Sequence, residues 1–119
     1  MKTLGTHLLV DFYGCDPAVI NDSYTLIALA VQAVRKSGAT VVRTATHHFE
    51  PQGVSGIVLI AESHLSFHSW PEHGVLCLDY FSCGDSINPQ IAIEYLLDIL
   101  KPERVSFCSR NRGTNYDDH

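Results

Sequence analysis

The sequence has no apolar run approaching the roughly 18 residues that cross a bilayer as a helix, which argues against a membrane-spanning protein. Its opening, MKTLGTHLLVDF, has neither a long apolar core nor a small-residue cleavage site, so the expectation is a cytoplasmic protein. Basic residues are few and scattered, 8 Lys and Arg against 13 Asp and Glu for a net charge of −5, which excludes nucleic acid as the main partner and suits a cationic ligand better. Cys15, Cys77, Cys83 and Cys108 form no CxxC pair, so reduced thiols are expected rather than disulfides. A glycine-rich phosphate loop, a GxSxG elbow and an HExxH helix are all missing. The chain is also short. At 119 residues it makes one domain, residues 1–119, and joining a second copy is a natural way for so small a domain to bury more surface.

What is present is enough apolar material to fold, 45% hydrophobic against 18% charged. THLLVDFY (6–13) reads as a strand closed by GCDP. From Tyr24 to Lys36, Leu26, Ile27, Ala30, Val31 and Val34 recur at helical spacing, with Asp22 or Ser23 as cap and Gly38 beyond the end. Segments 40–49, 54–62, 63–70 and 74–82 are short, rich in β-formers and separated by turn signals, as in a four-strand meander. Asn88 and Pro89 start a second helix with Ile93, Leu96, Leu97 and Leu100 on one face, and RVSFCS (104–109) is a last strand before a polar tail expected to be disordered. The order β-α-β-β-β-β-α-β predicts an α+β fold, a mainly antiparallel sheet with two helices on one face. Ile57, Val58, Leu59 and Ile60 run without alternation, so the other face also needs cover.

Among residues that carry chemistry, His64, His68 and His73 are poorly spaced for a metal, because His64 and His68 on one strand stand about 13 Å apart, and no metal is assigned. Cys83, between Ser82 and Gly84 after a strand, reads either as an accessible thiol or as a small packing residue, whereas Cys77 within an apolar strand reads as core. In 63–70 the alternation sends His64, Ser66, His68 and Trp70 one way and Leu65 and Phe67 the other. Ser63 needs a base to become a nucleophile, and His68 is the candidate.

The segment ESHLSFHSWPEHG (62–74), with GVSG (53–56) before it and FSCG (81–84) after it, resembles the prokaryotic, single-repeat form of the S-adenosylmethionine decarboxylases, pyruvoyl-dependent enzymes of polyamine synthesis. LGTHLLVDFYGC and SGATVVRTATHHFEPQGVSG extend the resemblance over nearly the whole chain. It implies a two-layer α/β sandwich and a proenzyme that cuts itself between Glu62 and Ser63 into a β chain, 1–62, and an α chain, 63–119. Ser63 Oγ would attack the Glu62 carbonyl and end as a pyruvoyl group, which forms a Schiff base with the substrate amine and serves as electron sink without pyridoxal phosphate. By the same resemblance Ser55 and His68 serve processing, and Cys83 is the proton donor, a role suited to thiols, which hold their proton at neutral pH. Glu72 would accept the ribose hydroxyls and Phe49 stack on adenine. The partners implied are a small-molecule substrate and a second αβ protomer in a homodimer. Two other readings stay open: decarboxylation of arginine or ornithine by the same chemistry, and a non-catalytic α/β ligand-binding module. His7, His47, His48, His64, His73 and His119 receive no role.

Overall fold

The computed structural model describes residues 2–117 and contains one six-stranded sheet with two long helices laid across one side. The elements run β1 (Gly5–Tyr13), α1 (Pro17–Ile20), α2 (Ser23–Lys36), β2 (Val41–His48), β3 (Val54–Ile60), β4 (Ser63–Trp70), β5 (Val75–Ser82), α3 (Pro89–Leu100) and β6 (Arg104–Arg112), with a 3-10 turn at Pro71–His73. The strand order is β2-β3-β4-β5-β1-β6, and every neighbouring pair is antiparallel. The predicted meander is therefore β2 to β5, and β1 slots between β5 and β6.

The helices start where their capping residues require. The Asp22 carboxylate accepts the Tyr24 and Thr25 N–H groups at 3.1 and 3.4 Å, and Arg35 and Lys36 complement the other end of α2. Asn88 Oδ1 accepts the Gln90 N–H at 3.2 Å to open α3, which stops at Lys101 in the left-handed region before Pro102. Leu26, Ala30, Ala33 and Val34 of α2 and Ala92, Ile93, Leu96 and Leu100 of α3 are buried against one face of the sheet. That face contributes Val10, Phe12, Val58, Leu65, Leu76 and Tyr80. Tyr80 is fully buried, and its hydroxyl meets Ser37 Oγ at 2.7 Å while Ser37 donates to the Val34 carbonyl at 2.6 Å. The bonds satisfy two polar groups that would otherwise cost stability in the core.

Two expectations change. A short helix, α1, stands where GCDP was read as a simple turn: Asp16 caps it and Pro17 starts it, enough for one turn but too short for a periodicity to show. The last strand runs to Arg112 rather than 109, because pairing with β1 as far as Gly5↔Arg112 carries polar residues into the ladder. Residues 118 and 119 of the expected tail, His119 among them, lie outside the described residues.

Among the described residues no helix lies over the second face of the sheet. It presents Leu9, Leu59 and Trp70, each well exposed, amid His7, Asp11, Ser55, His64, Ser66, His68, Cys77, Asp79 and Phe81. The unalternating Ile57–Ile60 run led us to expect cover on this face; in the single chain it stays open, with Leu59 exposed among polar neighbours. Among the described residues no helix is long and apolar enough to cross a membrane.

Candidate active site

Strands β3 and β4 are joined by two residues, Ala61 and Glu62, between the paired Ile60 and Ser63. Glu62 has φ +67°, in the left-handed region that a side chain with a Cβ enters at a cost of about 1–2 kcal/mol. The peptide bond after it leads straight into Ser63, the first residue of β4. Ser63 is nearly buried on the helix side of the sheet, and its Oγ accepts the Cys83 N–H at 3.2 Å. The β4–β5 register, His64↔Phe81, sets Cys83 just past the strand end beside Ser63, and space is open around the neighbouring Gly84.

A second group lies on the open face. Ser55 Oγ and His68 Nδ1 are 2.5 Å apart, brought together by the direct register pair Ser55↔His68. The His68 ring packs against Trp70 at 4.3 Å and Phe49 at 5.5 Å, and Phe49 in turn meets His47 edge-on at 4.6 Å. Glu72 sits exposed in the 3-10 turn beyond Trp70. His68 and Ser63 do not meet within one chain. They project from opposite faces of β4, five residues apart, a run of about 17 Å along a strand.

A third group escaped the sequence reading. His7 Nε2 lies 2.5 Å from Asp79 Oδ2, Ser66 donates a hydrogen bond to the same carboxylate, and His64 Nε2 is 3.9 Å away. Phe81 stacks on His64. Nothing local signals this arrangement, since His7 and Asp79 meet only through the β1–β5 register. His7, His64 and Asp79 bring ligand atoms within 4.8 Å of one another, the spacing a metal could bridge. However, Arg112 Nη1 donates to His7 Nδ1 at 3.1 Å, which leaves the ring's remaining proton on Nε2, aimed at Asp79. Histidine ligands show the reverse, with a lone pair on the metal and the other N–H given to an acceptor. The group thus reads as a hydrogen-bond chain from Arg112 to Ser66.

Cys77 also differs from expectation. It faces the open side next to Asp11 rather than the core, and burial, then the Asp11 hydrogen bond and charge, push its thiol up to about 11. That thiol stays protonated and is no nucleophile at neutral pH. A shallow concavity of about 240 Å³ between Asp11, Ser66, His68, Cys77 and Asp79 marks the middle of this face.

Comparisons with known proteins point one way. A family profile described as S-adenosylmethionine decarboxylase matches residues 6–113. The S-adenosylmethionine decarboxylase proenzyme of Thermotoga petrophila is 44% identical over 118 residues, covering 99% of this chain and 90% of that protein. The proenzyme of Clostridium tetani is 43% identical over 113 residues, 95% of this chain and 90% of that protein. The crystal structure of the adenosylmethionine decarboxylase from Aquifex aeolicus superposes over 100% of this chain and 98% of its own with TM-score 0.89 and 34% identity. A monomer of the Trypanosoma brucei enzyme shares the fold at TM-score 0.63 and 18% identity, over 86% of this chain and 44% of that one.

Proposed function

The chain belongs to the S-adenosylmethionine decarboxylase family, and on that footing we propose that it is a self-cleaving proenzyme whose mature form decarboxylates S-adenosylmethionine, a step toward polyamines. The observation that carries this reading is the turn at Glu62-Ser63. A peptide bond that follows a left-handed glutamate, directly before a serine whose Oγ is already held by the Cys83 N–H, combines local strain with a placed hydroxyl.

In the cleavage step Ser63 Oγ attacks the Glu62 carbonyl carbon and the Glu62–Ser63 C–N bond breaks, so that the amide becomes an ester and the Ser63 nitrogen a free amine. Loss of the Ser63 α-proton then expels the Glu62 carboxylate and releases residues 1–62 as the β chain. The dehydroalanine left at residue 63 takes up water and loses ammonia, which makes the pyruvoyl terminus of the α chain, 63–119. The site suits that group: Ser63 is enclosed against the helix side, and the Cys83 backbone N–H sits at its Oγ, so that residue 83 adjoins residue 63. The pyruvoyl carbonyl supplies the electrophile for the substrate amine and the sink for the electrons left when carbon dioxide departs. Cys83 then gives a proton to the substrate Cα, Glu72 accepts hydrogen bonds from the ribose hydroxyls, and Phe49 stacks on the adenine.

Ser55 and His68 assist processing, and one copy keeps them far from its own Ser63. The αβ protomers form a homodimer. A second copy laid on the open face would cover Leu9, Leu59 and Trp70 and enclose the Ser55–His68 pair that lies among them.

The test is intact-mass measurement during incubation, followed by carbon dioxide release from S-adenosylmethionine, arginine and ornithine in parallel. Two fragments split at 62/63, an α chain trapped by borohydride or hydroxylamine, and release from S-adenosylmethionine are expected. Ser63→Ala should remain one inactive chain. A wild-type chain that stays whole favours a binding module, and turnover of arginine or ornithine alone overturns the substrate and the role of Glu72 with it.

A further inference from the structure

Asn21 takes no part in the chemistry above, yet it holds the loop that carries Phe49. It ends α1, where its side-chain Oδ1 accepts the Gly53 N–H at 2.9 Å and its carbonyl accepts the His48 Nε2–H at 3.1 Å. One residue earlier, the Ile20 carbonyl accepts the Ser69 hydroxyl at 2.7 Å, and the oxygen of that fully buried serine accepts the Val54 N–H at 3.0 Å. The loop closes on itself through the Phe49 N–H and the Gly53 carbonyl at 2.8 Å. Gly53 is therefore gripped from both sides: its carbonyl fixes Phe49 and its N–H is fixed by Asn21. It stands at φ +109°, and a Cβ there would lie 3.3 Å from the Ser69 carbonyl, so the path suits glycine, whose backbone is free to take others unless it is held.

The Phe49 ring needs this support. It is 39% exposed and meets the His47 and His68 rings on the open face, outside the buried core, so its position follows the backbone beneath it. The same short segment also braces the other substrate contact. The Cys15 N–H donates to the Gly74 carbonyl at 2.9 Å, at the end of the turn that carries Glu72. Residues 15–21 thus form a common frame behind both.

We propose that Asn21 is a positioning residue for substrate: by anchoring Gly53 it sets the Phe49 ring where an adenine-bearing substrate binds, an inference that rests on the functional reading above. A loop freed from the anchor samples other paths, and only the fraction of molecules with Phe49 in place binds substrate well.

Steady-state kinetics on fully processed protein test this. Asn21→Ala should raise KM for S-adenosylmethionine about three- to tenfold, the worth of one ordinary hydrogen bond, with kcat within about twofold. The rate of self-cleavage, which involves no substrate, should not change. Asn21→Asp, whose carboxylate accepts the same N–H, should restore KM. In a Phe49→Ala background, itself raised in KM, Asn21→Ala should add nothing. If Asn21→Ala is not recovered folded, Asn21→Ser, whose oxygen falls short of Gly53, answers the same question. Unchanged KM, or an undiminished increase on top of Phe49→Ala, overturns the inference while a wild type active on S-adenosylmethionine leaves the functional reading intact. A wild type that releases no carbon dioxide from that substrate overturns both.

Discussion

If strain at Glu62 helps the cleavage step, removing the strain should slow it. Glu62 is a residue with a Cβ at φ +67°, and glycine reaches the same conformation without the steric cost. Relief of about 1–2 kcal/mol in the uncut chain, lost again once the bond is broken, raises the barrier by that amount and slows cleavage roughly 5- to 30-fold. Folding stability should move the other way. Glycine costs about 0.5–1 kcal/mol through greater freedom in the unfolded chain, so the net gain of Glu62→Gly is about 0.5–1 kcal/mol, or a few degrees in Tm. Stability is best measured with Ser63→Ala present in both proteins, so that cleavage does not confuse the melt. The cleavage rate comes from refolding the denatured proenzyme and following the two fragments by mass. Glu62→Ala is the control, since it removes the carboxylate and keeps the strain, and it should cut at nearly the wild-type rate. Cleavage by Glu62→Gly as fast as wild type, in a protein measurably more stable, would refute the role of strain. An equal slowing in Glu62→Ala would assign the effect to the carboxylate instead.

The remaining predictions concern single side chains. Cys83→Ala keeps the backbone N–H that holds Ser63, so the protein should fold and still cut, more slowly, but lose most carbon dioxide release; full turnover would remove the thiol from the mechanism. Cys77, with its thiol raised to about 11 from an ordinary 9.0, should resist iodoacetamide until pH approaches 11. Because the folded state holds this proton more tightly than the unfolded one, its contribution to stability is complete below pH 9 and fades as pH rises to about 11, and Cys77→Ser should flatten that part of the urea-midpoint profile. Tyr80→Phe removes the hydroxyl that meets Ser37 in the core and should cost about 0.5–1.5 kcal/mol of stability, read from urea unfolding, with self-cleavage unchanged.

Much of the architecture is legible in local pattern. Asp22 and Asn88 mark where α2 and α3 begin because capping is a matter of one side chain and the next two or three amides. The alternation in 63–70 predicts which side chains share a face, and β4 shows that division, with Leu65 and Phe67 buried and His64, Ser66 and His68 on the open side. Residue types in ESHLSFHSWPEHG carry the family resemblance because self-cleavage demands a particular order along the chain: a carbonyl, then a hydroxyl. What failed to show locally was α1, a single turn, and the outward sense of Cys77, whose alternation with Leu76 and Leu78 was masked because the segment around it is apolar on both faces.

By itself, then, the sequence determined the two long helices, the strands and most of their faces, and it singled out Glu62-Ser63 as the bond proposed to cut, since these depend on residues adjacent or a few places apart. Only the tertiary structure decided which residues meet across strands. His7 joins Asp79 over a separation of 72 residues and Ser55 reaches His68 through strand register, while Asn21 at the end of α1 reaches the Gly53 loop over 32. It also decided that His68 turns away from Ser63. Side chains on a strand alternate in sense, so the odd spacing from 63 to 68 places one against the helices and the other on the open face, where a second copy of the chain can meet it.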